Sequence, residues 1–123
     1  MPYTAFNTLC ASLPATTHVI QWGGSHIWKV GGKVFAIGGW EAAPPAGPGP
    51  AYTFKVSEIG FEMLKHAPGC RPAPYLASRG LKWIQAYGQP GLSDEDLADH
   101  IRRSHALVAA GLSKKLRAAL GLA

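Results

Sequence analysis

The sequence predicts an α+β domain of two layers, an antiparallel sheet with helices on one face. Three observations predict it. Apolar residues recur with helical period near both ends of the chain. Between them stand short runs rich in β-branched and aromatic residues, punctuated by Gly and Pro. One pair of these runs flanks Gly31-Gly32, a strong signal for a tight hairpin. The order that results is helix, three or four strands, helix, two strands, helix, which an antiparallel sheet covered on one side satisfies.

The first helix is read over Tyr3 to Leu13. Phe6, Leu9, Cys10 and Leu13 form its apolar stripe, and Pro14 ends it. Thr17 to Trp22 is β-branched and reads as a strand. Two hairpin strands follow, over His26–Val30 and Lys33–Gly39. A two-residue turn sets Val30 opposite Lys33, Lys29 opposite Val34, Trp28 opposite Phe35 and Ile27 opposite Ala36. Trp28, Val30, Phe35 and Ile37 then share one side of the ribbon, with Lys33 at its tip. Lys29, Val34 and Ala36 take the other side.

Residues 42–50, Ala-Ala-Pro-Pro-Ala-Gly-Pro-Gly-Pro, exclude a helix or a central strand. They read as an exposed connection of polyproline character; Pro45-Ala46-Gly47-Pro48 matches a PxxP ligand only formally. Tyr52, Phe54 and Val56 alternate with Thr53 and Lys55, so this is a strand with one buried face. Ser57 caps a helix over Glu58 to His66, with Ile59, Met63 and His66 on its inner side. Pro68-Gly69 breaks it. Pro72–Leu76 and Leu81–Tyr87 read as two strands joined by Ala77-Ser78-Arg79-Gly80. Ser93 caps the last helix, and Asp94, Glu95 and Asp96 occupy the positive end of its dipole. Leu97, Ile101, His105, Val108 and Leu112 form its buried stripe. A basic tail over 113–123 opens with Ser113-Lys114-Lys115.

Size and composition bound the function. The 123 residues suit one domain, large enough to fold without disulfide or metal. Apolar residues make up 47% and charged residues 15%, a globular balance. No run approaches a membrane span, and the first residues lack the basic and apolar regions of a secretory signal. With only Cys10 and Cys70, and no zinc-like spacing, a reducing cytoplasmic setting is expected. The net charge of +5 favours nucleic acid or another polyanion as partner.

Catalytic motifs are missing. Gly32-Lys33 is not a phosphate loop, because Ile27 stands where the first Gly belongs and Val34 where Ser or Thr belongs. Gly23-Gly24-Ser25-His26-Ile27 lacks the last Gly of a nucleophile elbow. The five histidines have no ligand spacing, and no base can be named for Cys70. Five of the seven acids fall early in helices, where they serve caps and dipoles. No enzyme, metal or cofactor is expected. A ligand-binding protein would need a pocket holding a shifted titratable group, and the sequence names no such residue.

The cations suggest a different use. Lys29, Lys33, Lys55, Arg71, Arg79 and Lys82 lie on or beside strands. Alternation sends Lys29 away from Trp28 and Lys55 away from Phe54, so both fall on the helix-free face. Of Lys82 and Trp83, one must join them. A cationic sheet with an aromatic among its charges can hold phosphates and stack on bases. Arg102 and Arg103 read as a solvated helix face, partly neutralised by Asp99.

Leu13-Pro14, Trp22-Gly23, the Lys29–Ala36 hairpin, Pro68-Gly69-Cys70-Arg71-Pro72-Ala73, Lys82-Trp83-Ile84 and Ser104-His105-Ala106-Leu107-Val108 with Leu112-Ser113-Lys114-Lys115 appear in order. That pattern resembles the MmcQ/YjbR family of small bacterial proteins. The resemblance implies a fold similar to type III secretion chaperones and to "double wing" DNA-binding domains. It also implies DNA binding, by likeness of fold. Members often carry a Lys-Lys pair where this chain has Ala77-Ser78-Arg79-Gly80. The expectation is a monomer or weak homodimer that binds DNA or another polyanion through Lys29, Lys33, Lys55, Arg71, Arg79, Lys82 and Trp83. The alternative is a chaperone-like module that holds a protein partner on an apolar surface.

Overall fold

A computed structural model describes residues 1–21, 23–39, 50–74, 76, 79–88 and 91–122. Trp22, most of the Pro/Gly-rich connection over 42–50 and the pair Ala77-Ser78 lie outside the described residues. The elements are α1 (Tyr3–Ser12), β1 (Thr16–Gln21), β2 (Ser25–Val30), β3 (Lys33–Gly38), β4 (Tyr52–Lys55), α2 (Glu58–Leu64), β5 (Cys70–Pro72), β6 (Trp83–Ala86), α3 (Asp94–Ala110) and α4 (Lys114–Ala119). The strands form one six-stranded antiparallel sheet in the order β1-β2-β3-β4-β6-β5.

The hairpin turns where expected. Gly31 and Gly32 have φ of 58° and 80°, the pair of positive values that a type I′ turn demands. Val30 pairs with Lys33 and Lys29 with Val34. Beyond that rung the register shifts, so Trp28 pairs with Ala36 and Ile27 with Ile37. Phe35 is the extra residue of a β-bulge, and Phe35 and Ala36 both belong to the buried core. The expected sides of Ala36 and Ile37 are therefore exchanged: Ala36 faces inward with Trp28, and Ile37 lies opposite.

Pairing from strand to strand defines two faces. One carries Val30, Trp28, Phe54, Ile84 and Cys70, and α1, α2 and α3 pack on it. All five residues expected for the stripe of the last helix are buried: Leu97, Ile101, His105, Val108 and Leu112. His105 sets its ring edge-on to Phe35 at 5.2 Å and donates through Nε2–H to the Pro14 carbonyl at 2.8 Å. That bond ties the turn after α1 to α3, and the donor role fixes the tautomer. The hydroxyl of buried Ser104 lies 2.9 Å from the His100 carbonyl and 2.5 Å from that of Lys55, pinning α3 to the end of β4.

Three elements differ from expectation. The first of the two later strands is Cys70–Pro72, earlier than Pro72–Leu76; as an edge strand it accommodates a proline that donates nothing to the ladder. Helix α2 turns Leu64 and Phe61 inward and leaves Ile59 and Met63 75% and 72% exposed. In two turns of helix the i, i+4 pair and the i, i+3 pair are both apolar, and packing over β5 and β6 selects the latter. The basic tail contains α4, whose Ser113 Oγ accepts from the Leu116 amide. At the other sheet edge, β1 has no Lys, Arg, Asp, Glu or Pro.

At Gly38 helix α1 approaches the sheet closely. A Cβ there would lie 2.7 Å from the Phe6 ring and 3.3 Å from Tyr3. Phe6 is fully buried and cannot withdraw. Gly38→Ala is expected to cost about 1–3 kcal/mol by overpacking. Urea denaturation measures it; an unchanged midpoint would place slack between α1 and β3.

Candidate functional site

The sheet register gathers most of the strand-borne cations at one end. Lys29 and Lys33 flank the Gly31-Gly32 turn. Lys55 ends β4 and pairs with Trp83, which starts β6. Lys82 continues that rung, its carbonyl accepting from the Val56 amide at 3.0 Å. Arg79 stands exposed beside Gly80 in the loop that leads into it. Helix α3 runs toward the same end. Asp94 at its start binds the Met1 ammonium at 2.7 Å, and the Met1 carbonyl accepts from the Tyr52 hydroxyl at the far end of β4. Leu112, just past its finish, is so close to Gly31 that a Cβ there would meet its side chain at 2.5 Å. Lys114 and Lys115 thus begin α4 near the hairpin tip, while Asp94, Glu95 and Asp96 sit at the opposite end. Glu58 and Glu62 of α2 are exceptions, and Glu62 is bound by Lys65 at 2.6 Å.

The candidate residues divide between the faces. Lys29, Lys55, Arg71 and Trp83 lie on the face away from the helices, as alternation requires. The centre of that face is not bare: Ile27, Ile37, Thr53 and Gln85 are buried there. The cations therefore form its margin. Arg71 is committed to local structure. Its Nε and Nη2 both donate to Gln85 Oε1, at 2.9 and 2.7 Å, and its guanidinium lies 4.7 Å from the centre of the Tyr87 ring. Gln85 passes the network on to Thr53 Oγ1 at 3.3 Å. Lys33 shares the register of the helix-bearing face, at the exposed tip. Lys82 turns toward α2, with Nζ 4.8 Å from the centre of the Phe61 ring. Lys29, Lys33, Lys55 and Arg79 have no carboxylate partner among the described residues.

Sequence reasoning missed a polar cluster at the β1 edge. Trp28 Nε1–H donates to Asn7 Oδ1 at 2.9 Å, which fixes the amide and turns Asn7 Nδ2 toward His26 Nδ1 at 3.4 Å. Because Nδ2 only donates, His26 Nδ1 accepts, and His18 Nε2–H donates to it at 3.1 Å. The two imidazoles lie 12° from parallel with centroids 5.3 Å apart. The signal was the alternation of His18 and Ile20 against His26 and Trp28, legible only with the register in hand. Among the described residues no group of three or more His, Cys, Asp or Glu could hold a metal ion. No described helix is long and apolar enough to cross a membrane. Burial pushes the Cys10 thiol up to about 12 and raises that of Cys70, so both are inert packing groups.

The imidazoles give the fold a pH dependence. Partial burial, then the neighbouring His26, hold His18 below the usual 6.5. Burial, then the Arg103 charge, do the same for His100. The unfolded chain takes up these protons first, so this stability is full above about pH 6.5 and is lost progressively as pH falls below it. The urea midpoint is expected to drop over that window, and to drop less in His18→Asn/His100→Asn. A midpoint that rises on acidification would contradict the assignment.

Comparison with known proteins agrees with this architecture. A crystal structure of Deinococcus radiodurans protein DR2400, with a DUF419 domain, superposes with a TM-score of 0.79 over 98% of this chain and 88% of that one, at 21% identity. That likeness speaks for the fold. No curated protein matches. The YjbR family model matches residues 11–107, which span β1 to β6 and most of α3, and the chain belongs to the YjbR family.

Proposed function

We propose that this protein is a non-enzymatic nucleic-acid-binding protein that grips the phosphate backbone of DNA with the hairpin-tip end of its sheet. The observation that carries the reading is the convergence of Lys29, Lys33, Lys55 and Arg79 at one end of the sheet, each without a carboxylate partner among the described residues. Phosphates replace missing counter-charges there, and release of condensed cations drives binding. Trp83, half-buried beside Lys55, supplies a ring for a base or sugar. Lys82 and Arg71 act as supports: one is engaged with Phe61, the other with Gln85 and Tyr87. The acids at the start of α3 repel DNA from the far end and orient the approach. The only described helix that starts near this margin, α4, brings Lys114 and Lys115, which offer charge to phosphates, so base-specific contacts are few and affinity depends little on sequence.

A second reading has its own support. Ile59 and Met63 form an exposed apolar pair on α2, on the surface a chaperone-like module would need. Light scattering on the pure protein, with Met63→Lys as comparison, tests whether that pair drives self-association.

Fluorescence anisotropy of a labelled duplex across salt tests the first reading. Four phosphate contacts give log K against log salt a slope of about −4. Lys29→Glu with Lys33→Glu is expected to reduce the slope to about −2 and weaken binding equally for unrelated sequences. No binding at about 50 mM salt, or full affinity in the double variant, would reject it.

A further inference from the structure

The molecule holds a groove that meets the proposed phosphate margin only at Lys55. It is about 370 Å³ in volume and runs between the start of α2 and the outer side of α3. One wall is Lys55, Val56, Ser57 and Gly60; the other is built from α3 residues at spacings of three and four, His100, Arg103, Leu107 and Ala110, with Ala106 beside them. This stripe lies next to the buried one that includes Ile101, Ser104 and Val108, so α3 presents one side to the sheet and a second, half-apolar side to the groove. Gly60, Ala106 and Ala110 keep the walls low, which leaves the space open.

The lining has a particular chemistry. Its basic side chains are those of His100 and Arg103, Lys55 bordering it at the end of β4 while its side chain belongs to the helix-free face, and no carboxylate lines it. The remainder is small or apolar apart from Ser57, whose hydroxyl already accepts from the Gly60 amide at 3.0 Å. The acid nearest in sequence to Arg103 is spent: Asp99 binds Arg102 at 2.9 Å, and Arg103 has no ion pair among the described residues. His100 is held flat against Phe54, with ring centroids 5.5 Å apart and 18° between planes, so its position is set by packing. A volume in the range of small-molecule sites, an apolar floor and uncompensated positive charge together define the complement.

The geometry points to a binding site for a small amphipathic carboxylate, such as a medium-chain fatty acid, with its tail against Val56, Ala106, Leu107 and Ala110 and its head group at Arg103 and His100. The apolar tail loses water against the small residues, and the guanidinium offers two parallel donors to a carboxylate. Neither half suffices alone: an uncharged tail leaves Arg103 unpaired, and a bare carboxylate leaves the floor exposed. This assignment does not depend on DNA binding, because none of the tail-contacting residues belongs to the proposed phosphate margin.

Octanoate is the probe, with octanol and acetate as controls, followed by two-dimensional NMR on the full chain. Octanoate is expected to shift the amides of Gly60, Ala106, Leu107 and Ala110 saturably, while octanol and acetate bind at least about tenfold more weakly. Arg103→Gln, on the exposed side of α3, is expected to weaken octanoate about tenfold and to leave the spectrum of the free protein otherwise intact. Ala106→Trp fills the groove and abolishes the shifts. Octanol binding as well as octanoate would overturn the proposal, as would full affinity in either variant or shifts scattered over the surface. An acidic amphipathic peptide that moves the same amides when octanoate does not would also overturn it, and would assign the groove to a protein partner. Duplex DNA is absent throughout, so either result leaves the salt-titration test standing on its own.

Discussion

Everything in this fold depends on the alternation of side chains across a sheet that carries its described helices on one side. Each strand must put its large apolar groups under α1, α2 and α3, and its neighbours in sequence then point the other way. Lys29 and Lys55 reach the far face because Trp28 and Phe54 are claimed by the core. The same rule divides Lys82 from Trp83, so two adjacent residues serve opposite sides. A slip of one residue would bury the lysines and expose the rings, at a cost of several kcal/mol for each exchanged pair.

The bulge at Phe35 is the one place where alternation is suspended. Two successive residues, Phe35 and Ala36, enter the core, and the large ring meets His105 edge-on while the small one leaves room for Trp28. Re-aiming the strand there has a structural effect beyond packing. It keeps Lys33 and Lys29 at the tip in their hairpin register while the rest of β3 moves into step with β4. The cationic end and the core thus meet at a residue whose role no local pattern announces.

Much of the architecture was legible in the sequence because its signals are local. Gly31-Gly32 announced the hairpin, and Ser93 with three acids announced α3. What escaped notice was set by tertiary packing. The bulge has no glycine to mark it. The inward side of α2 was ambiguous between Ile59 with Met63 and Phe61 with Leu64, and contact with β5 and β6 decided it. Ser113 is a cap like Ser57 and Ser93, but basic residues after it read more readily as a solvated tail. As for the candidate site, parity identified the strand lysines, whereas the commitments of Arg71 and Lys82 required coordinates. Asp99 stands three and four residues before two arginines, and among the described residues its ion pair is with Arg102.

The unguarded margin at β1 has a consequence for handling the protein. Its outward row of amides and carbonyls belongs to an uncharged stretch, Thr16–Gln21, with Ile20 58% exposed. The opposite border, β5, is short and blunted by Pro72. Backbone from another copy can dock on the first and not on the second, so strand addition pairs two β1 edges and closes as a two-fold dimer. A single lysine placed among these six residues would guard that edge against pairing.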